Sequence, residues 1–314
     1  MKIIFMGTPE FAAYSLEMLA KYHEVALVVT QPDKPSGRGY KLTPPPVKVV
    51  AEKQGLTVIQ PEKVKAPEII NQLREVAPEA IVVVAFGQKI PPEILEMPPL
   101  GCINLHGSLL PRYRGAAPIQ RAIMNGDNIT GLTTQLMAEG WDTGDMLLKC
   151  EVPIDINDTA GTLHDKMMHS GAKLLVETLI ELEMGKIVPM KQNHAEATYA
   201  SKMTKEDRVV DWNKPAREVY DHLRALLPWP GIKFMHKEKE ISLFDLSLGS
   251  EEIKGQLPGT VIAVTPDWFE VACTDNSIRF GSIKPEGRRQ MSVQEYINGY
   301  SLFTGDILES IKVE

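Results

Sequence analysis

The sequence predicts an α/β fold, a doubly wound parallel sheet followed by a smaller β-barrel. Three observations carry this. Short, nearly unbroken Val/Ile runs alternate with helical patterns through the first half of the chain, as strands buried on both faces require. A long amphipathic pattern then closes that region and gives way to a polar stretch. After it come closely spaced short apolar runs broken by Gly, Pro and Asp, the texture of a small barrel. At 314 residues, 43% of them hydrophobic, the chain is long enough for two domains, each with its own core.

The elements follow in order. Lys2-Ile3-Ile4-Phe5-Met6 is a short strand ended by Gly7-Thr8-Pro9, with Thr8 expected as a helix N-cap and Pro9 at the first helical position. Phe11, Ala12, Ser15, Leu16 and Leu19 then recur at helical spacing. Further strands are expected over 25–30, 57–59, 80–86, 102–105 and 132–137. A long helix carries Leu163, Met167, Leu174, Leu175, Leu179 and Leu182, capped by Asp158 or Thr159 and ended by Gly185. The polar residues that follow, among them Lys191, Gln192, Asn193, His194 and Lys202, read as a linker. Beyond it a helix is expected over 215–226, strands over 241–244, 260–264, 268–273 and 277–280, and a short helix over 293–298. The division is a Rossmann-like domain at 1–189, a linker at 190–206 and an OB-like β-barrel domain at 207–314.

Several function classes fall away. Gly7 stands alone after the first strand, with neither a GxGxxG nor a Walker pattern, which sets NAD- and ATP-dependent readings low. Cys102, Cys150 and Cys273 are far apart and form no CxxC pair, which argues against a disulfide framework or a zinc site and fits a reducing cytosol. No apolar run has the length of a membrane span, and Glu10 comes too early for a secretory h-region. The expectation is a cytoplasmic monomer without metal or membrane. The net charge of −7 argues only weakly against a nucleic-acid partner, because local patches decide. One patch is basic: Lys34, Arg38, Lys41 and Lys48, opposed by Asp33 and interleaved with Gly37, Gly39 and Pro44-Pro45-Pro46. Composition alone favours a solvated surface loop over a phosphate-contacting arm.

The densest chemistry lies in Asn104-Leu105-His106-Gly107-Ser108-Leu109-Leu110-Pro111. On a strand, residues two apart share a face, so Asn104 and His106 point together at the strand's C-terminal end, where open α/β sheets bind ligands. Asp142, in Trp141-Asp142-Thr143-Gly144, follows the strand at 132–137. Asn, His and Asp together suit attack of an amine on a carbonyl. Asn offers an uncharged donor to a developing oxyanion, His a further donor or proton carrier, and Asp a group that orients the imidazole. Any one of the three alone is more often structural.

These segments, with Arg114-Gly115-Ala116-Ala117-Pro118-Ile119, Met6-Gly7-Thr8-Pro9-Glu10-Phe11-Ala12 and Thr30-Gln31-Pro32-Asp33-Lys34-Pro35, resemble the folate-dependent formyltransferases along essentially the whole chain. Two variations are mild: Trp141 stands where a smaller apolar residue is common, and Phe86 where Tyr is often found. The Asn-x-His…Asp set is shared across that family, glycinamide ribonucleotide formyltransferase included. The basic loop and the barrel-like tail point within the family to an RNA acceptor.

The resemblance implies transfer of a formyl group from the co-substrate 10-formyltetrahydrofolate to the α-amino group of methionine esterified to initiator tRNA. Asn104, His106 and Asp142 would be catalytic. Phe86, Gly87, Ser108, Leu109, Leu110 and Pro111 would hold the folate, Leu109 and Leu110 being equally readable as core. Lys34, Arg38 and Lys41 would contact tRNA, helped by the C-terminal domain. The rivals are a formyltransferase for a small amine, a hydrolase that deformylates the folate, and a silent tRNA-binding protein. The basic loop disfavours the first two, and the intact catalytic set disfavours the last.

Overall fold

The computed structural model describes residues 1–36, 41–249, 253 and 255–311. In chain order the elements are β1 (Lys2–Gly7), α1 (Glu10–Leu19), β2 (Glu24–Val29), β3 (Lys34–Ser36), β4 (Lys41–Thr43), α2 (Pro46–Lys53), β5 (Val58–Ile59), α3 (Pro67–Val76), β6 (Ala80–Val84), α4 (Pro92–Leu95), β7 (Cys102–His106), β8 (Arg114–Gly115), α5 (Pro118–Met124), β9 (Ile129–Leu136), β10 (Met146–Pro153), α6 (Ala160–Glu183) and β11 (Tyr199–Ala200). There follow α7 (Ala216–Ala225), β12 (Lys233–His236), β13 (Lys239–Leu248), β14 (Val261–Val264), β15 (Phe269–Ala272), β16 (Ser277–Pro285), β17 (Met291–Ser292), α8 (Val293–Tyr300) and β18 (Glu309–Ser310). The chain divides into two compact units. The first comprises residues 1–118, 129–153 and 164–200, the second residues 119–128, 154–163 and 201–314.

The first unit is built on a seven-stranded sheet of order β10-β9-β7-β6-β1-β2-β5. Its five strands β5, β2, β1, β6 and β7 pair in parallel, as the apolar runs predict. The last two join antiparallel. Every residue of β6 is buried, and Ile3, Ile4, Phe5 and Met6 of β1 are fully enclosed. Such side chains each contribute about 1.5–3 kcal/mol on leaving water, and they fix the register because one face cannot be exchanged for the other. On one face Ile4, Met6, Leu27, Val29, Ile81 and Val83 pack with Leu73 of α3 and Ile94 of α4. On the other lie α1 and α6. A Cβ at Gly7 would sit 2.7 Å from the Cβ of Ala12, and one at Gly171 would sit 2.8 Å from Leu105. Each glycine therefore lets a helix lie close on its strand.

Capping chemistry partly follows expectation. Thr159 caps α6 by accepting from the Thr162 N–H at 3.2 Å, and Gly185, at φ +65°, follows its end. Thr8 corrects the expectation for α1. The helix N-cap is Pro9, without a side-chain cap, and the Thr8 hydroxyl donates instead to the carbonyl of Phe86 at 2.9 Å. An acceptor across the sheet edge has taken the hydroxyl from the local N–H.

Residues 190–200, which the polar composition assigns to a linker, are folded within the first unit, where β11 pairs in parallel with β8. The second unit is an antiparallel sheet of order β14-β15-β16-β13-β12-β18, with β17 paired to β16. It curls until its ends meet. Val261 N–H donates to the Asp306 carbonyl and Gly305 N–H to the Val261 carbonyl, both at 2.8 Å, and Leu308 N–H donates to the Gly259 carbonyl at 2.9 Å. Its core is aromatic: Trp212 stacks on Phe234 and Phe269 on Phe280, with centroids 5.1 and 5.4 Å apart. The expected strands at 241–244 and 277–280 extend further, as β13 and β16. Among the described residues no helix is long and apolar enough to cross a membrane.

Candidate active site

Three strands set the floor of the site. Val83 of β6 is the register partner of Asn104 of β7, and Asn104 is the partner of Gln135 of β9. Directly paired residues share a face, so the three side chains stand in one row. They line a cavity of about 170 Å³ near the C-terminal ends of β6 and β7, walled by the turn at 85–90 and the loop at 138–143. The first wall bends through Ala85 at φ +45° and Gly87 at φ +85°. It is anchored from behind. The Phe86 ring is buried in the core, and its carbonyl accepts from Thr8 Oγ1 and, at 3.2 Å, from Gln31 Nε2.

His106 and Asp142 meet beside the Asn104 row. The imidazole is buried, with Nδ1 3.4 Å from Asp142 Oδ1 and Nε2 2.9 Å from the Tyr113 carbonyl. Nε2 is hydrogen-bonded to the Tyr113 carbonyl, and Nδ1 is turned toward the Asp142 carboxylate. Asp142 Oδ2 accepts from the Gly115 N–H at 2.9 Å, and Oδ1 accepts from Gln135 Nε2 at 3.1 Å. The carboxylate is therefore aimed by donors on two sides. Asn104 differs from its neighbours. Its half-buried carboxamide lines the cavity and makes no hydrogen bond among the described residues. Such a group is free to donate to a ligand oxygen.

The sequence-predicted residues divide. Asn104, His106 and Asp142 come together, and Phe86 and Gly87 line the cavity. Ser108, Leu109, Leu110 and Pro111 do not line it. Ser108 is fully buried and donates to the Arg112 carbonyl at 2.5 Å, closing its own loop. Thr133 Oγ1 donates to the Ser108 carbonyl and accepts from the Leu110 N–H. Leu109 lies over Gly131, where a Cβ would approach it to 2.6 Å, and Leu110 is buried. Leu110 is thus a core residue, whereas Leu109 is half-buried against Gly131. In the basic segment Lys34 is exposed. Lys48 is tied to Asp33 at 2.9 Å, and hydrogen bonds from Gln60 and Lys48 hold the Asp33 carboxyl below its ordinary range. Arg38, with Gly37 and Gly39, and the side chain of Lys41 lie outside the described residues.

Gln192 and Arg114 escape the sequence reading of the site. Gln192 is 5% exposed, and its amide donates to the carbonyls of Asp142 and Gly144 at 2.9 and 2.7 Å. In the sequence Arg114 reads only as part of a motif, and Gln192 only as a polar linker residue. Among the described residues no group of three His, Cys, Asp or Glu side chains could hold a metal ion.

The family described as Formyl transferase matches residues 1–179, and its C-terminal domain matches residues 202–301. The chain is 46% identical to a methionyl-tRNA formyltransferase of Acetivibrio thermocellus, over 98% of this chain and 99% of that one. It is 47% identical to the methionyl-tRNA formyltransferase of Caldanaerobacter subterraneus subsp. tengcongensis, over 98% and 100%. Among solved structures it is similar in fold to an N-formyltransferase of Helicobacter canadensis in complex with folinic acid and dTDP-3-aminofucose. There the TM-score is 0.67 at 20% identity, covering 90% of this chain and 98% of that one. HypX of Aquifex aeolicus, in complex with tetrahydrofolic acid, gives a TM-score of 0.63 at 20% identity over 94% of this chain, which spans 46% of HypX.

Proposed function

The chain belongs to the formyl transferase family, and from that premise we infer the activity of the relatives it matches end to end. It transfers the formyl group of 10-formyltetrahydrofolate to the α-amino group of methionyl initiator tRNA, giving the N-formylated aminoacyl-tRNA that starts translation. The observation that carries the site assignment is the Asn104 carboxamide in the cavity, without a hydrogen-bond partner among the described residues, beside the His106–Asp142 pair.

The donor fits the site in part. A cavity of about 170 Å³ is smaller than the roughly 300–1,000 Å³ usual for a drug-sized ligand. It suits the flat ring end of a larger molecule, with Phe86 and Gly87 on one wall. When bound, the folate supplies a formyl group activated on N10. The net change is one new C–N bond to the amine, one broken C–N10 bond and one proton passed from the amine to N10. A free α-amino group has a pKa of about 7.7–8.0, so a neutral fraction exists near pH 7 without a strong base. Asn104 is placed to donate to the formyl oxygen as it gains negative charge. His106, beside the cavity with its ring held by Asp142, is assigned as a further donor to that oxygen or as the proton carrier.

Lys34, Arg38 and Lys41 are assigned to tRNA phosphates, with the stretch at 207–314 adding surface for the same substrate. Raising salt should therefore weaken use of the tRNA. We place the enzyme in the cytoplasm, as a monomer free of membrane. The test is transfer of radiolabelled formyl from 10-formyltetrahydrofolate with methionyl-tRNA, uncharged tRNA and a nucleotide-linked amino sugar as acceptors. Label is expected in methionyl-tRNA alone. Equal kcat/KM on the amino sugar would contradict the reading.

A further inference from the structure

Asp142 sits at φ +52°, in the left-handed region, which Asp enters more readily than most residues with a Cβ. Its own loop does not impose it by burial, since the preceding Trp141 is 73% exposed. What holds the backbone there is Gln192, whose amide nitrogen donates to the carbonyls on either side of Thr143, those of Asp142 and Gly144. A side-chain amide can be turned either way, and here a buried cation sets the direction. Arg114, 2% exposed, donates to Gln192 Oε1 through Nε at 3.0 Å and Nη2 at 2.6 Å. The oxygen must therefore face the guanidinium and the nitrogen must face the loop.

The same nitrogen lies 3.4 Å from Gln135 Oε1, and Gln135 Nε2 donates to Asp142 Oδ1. The two N–H groups of Gln192 are taken by the shorter bonds to the Asp142 and Gly144 carbonyls, so its approach to Gln135 is a packing contact, and Gln135 steadies the carboxylate from its own strand. We propose that Gln192 is a positioning residue for the formyl transfer: oriented by Arg114, it fixes the backbone of Asp142 and through it the direction in which the carboxylate faces His106. The proposal rests on the reading that Asp142 and His106 serve the reaction. It assigns a role in the chemistry to a segment whose composition reads as a connector.

Gln192→Glu tests it in the full-length enzyme. Glutamate keeps the length and the contact with Arg114 and loses both N–H groups. Rates are taken per folded molecule, with thermal melting recorded alongside. Should the glutamate variant fold poorly, Gln192→Met fills a similar volume without charge and makes the same test. Misplacing Asp142 should lower kcat by about tenfold to a hundredfold, with KM for methionyl-tRNA within about threefold of wild type. A residue that acts only through Asp142 has little left to do once the carboxylate is gone. In an Asp142→Asn background, then, Gln192→Glu should change kcat less than about twofold. A merely structural residue would lose the same factor in both backgrounds, and that result would overturn the proposal. Wild-type kcat in Gln192→Glu, with Asp142→Asn slow, would overturn this proposal alone. Wild-type kcat in Asp142→Asn would overturn the site reading and this proposal with it.

Discussion

In the first unit Asp142 Oδ1 lies 3.4 Å from His106 Nδ1; in the second, Asp306 Oδ2 lies 3.0 Å from His236 Nε2. Both histidines are buried, and each has an oxygen on its other nitrogen, the Tyr113 carbonyl for His106 and the Tyr296 hydroxyl at 2.9 Å for His236. The second pair is the shorter and better aligned by distance, yet it is closed on itself. Asp306 also takes Lys237 Nζ at 2.8 Å and the Phe303 N–H at 2.9 Å, while Lys237 donates onward to the Ser301 carbonyl and lies 5.0 Å over the Phe303 ring. The first pair adjoins a cavity and a carboxamide with no partner among the described residues. A histidine–aspartate contact therefore says little about catalysis by itself. What distinguishes the site is the hydrogen-bonding capacity that the described residues leave open to a ligand next to it.

The largest effect should separate the two histidines by what they change. His106→Ala is expected to lower kcat by about 10²–10⁴-fold with the protein still folded. His236→Ala should leave kcat per folded molecule within about twofold. It strands the Tyr296 hydroxyl and the Asp306 carboxylate, a loss of about 1–3 kcal/mol, read as a lower Tm. A slow but fully stable His236→Ala enzyme would erase the contrast. Tyr296→Phe is the milder form of the same test. It removes one hydrogen bond, so about 1 kcal/mol should go from denaturant-monitored stability and nothing from turnover.

The smallest effect is in pH. Burial alone would push the Asp306 carboxyl up, but hydrogen bonds from Lys237, the Phe303 N–H and His236 outweigh it and hold the carboxyl below its ordinary 3.8. A group whose folded-state value is depressed adds stability above its unfolded value and loses it as pH falls through the folded one. The Tm gap between wild type and Asp306→Asn should thus be constant above about pH 5 and close toward about pH 2. A gap that widens on acidification would mean that the carboxylate is not held as described.

Much of the fold is legible in the sequence because burial on both faces leaves a plain mark. The run at 80–86 and the apolar start of the chain can be little else than central strands. Strand β10 leaves no such mark. Met146–Pro153 mixes Lys149 and Glu151 with apolar residues, as an edge strand with one wetted side does. In the site, Asn104, His106 and Asp142 are legible because a strand's two-residue period and a following loop suffice to converge them. Gln192 is not, since its role depends on which way an amide is turned by an arginine 78 positions away in sequence. Nor does the sequence show that the Ser108 hydroxyl donates to the Arg112 carbonyl within its own loop. Short-range pattern finds where side chains point, and it is blind to which of them are already satisfied.

The central claim is that the free carboxamide of Asn104 stabilises the charge developing on the formyl oxygen. It is tested most directly by the single-turnover rate of formyl transfer in Asn104→Ala, with donor and methionyl-tRNA both saturating. The rate should fall by about 10²–10³-fold, with folate affinity and Tm close to wild type. A rate within about threefold of wild type would contradict the claim and leave the cavity's unpaired group without a role in the chemistry.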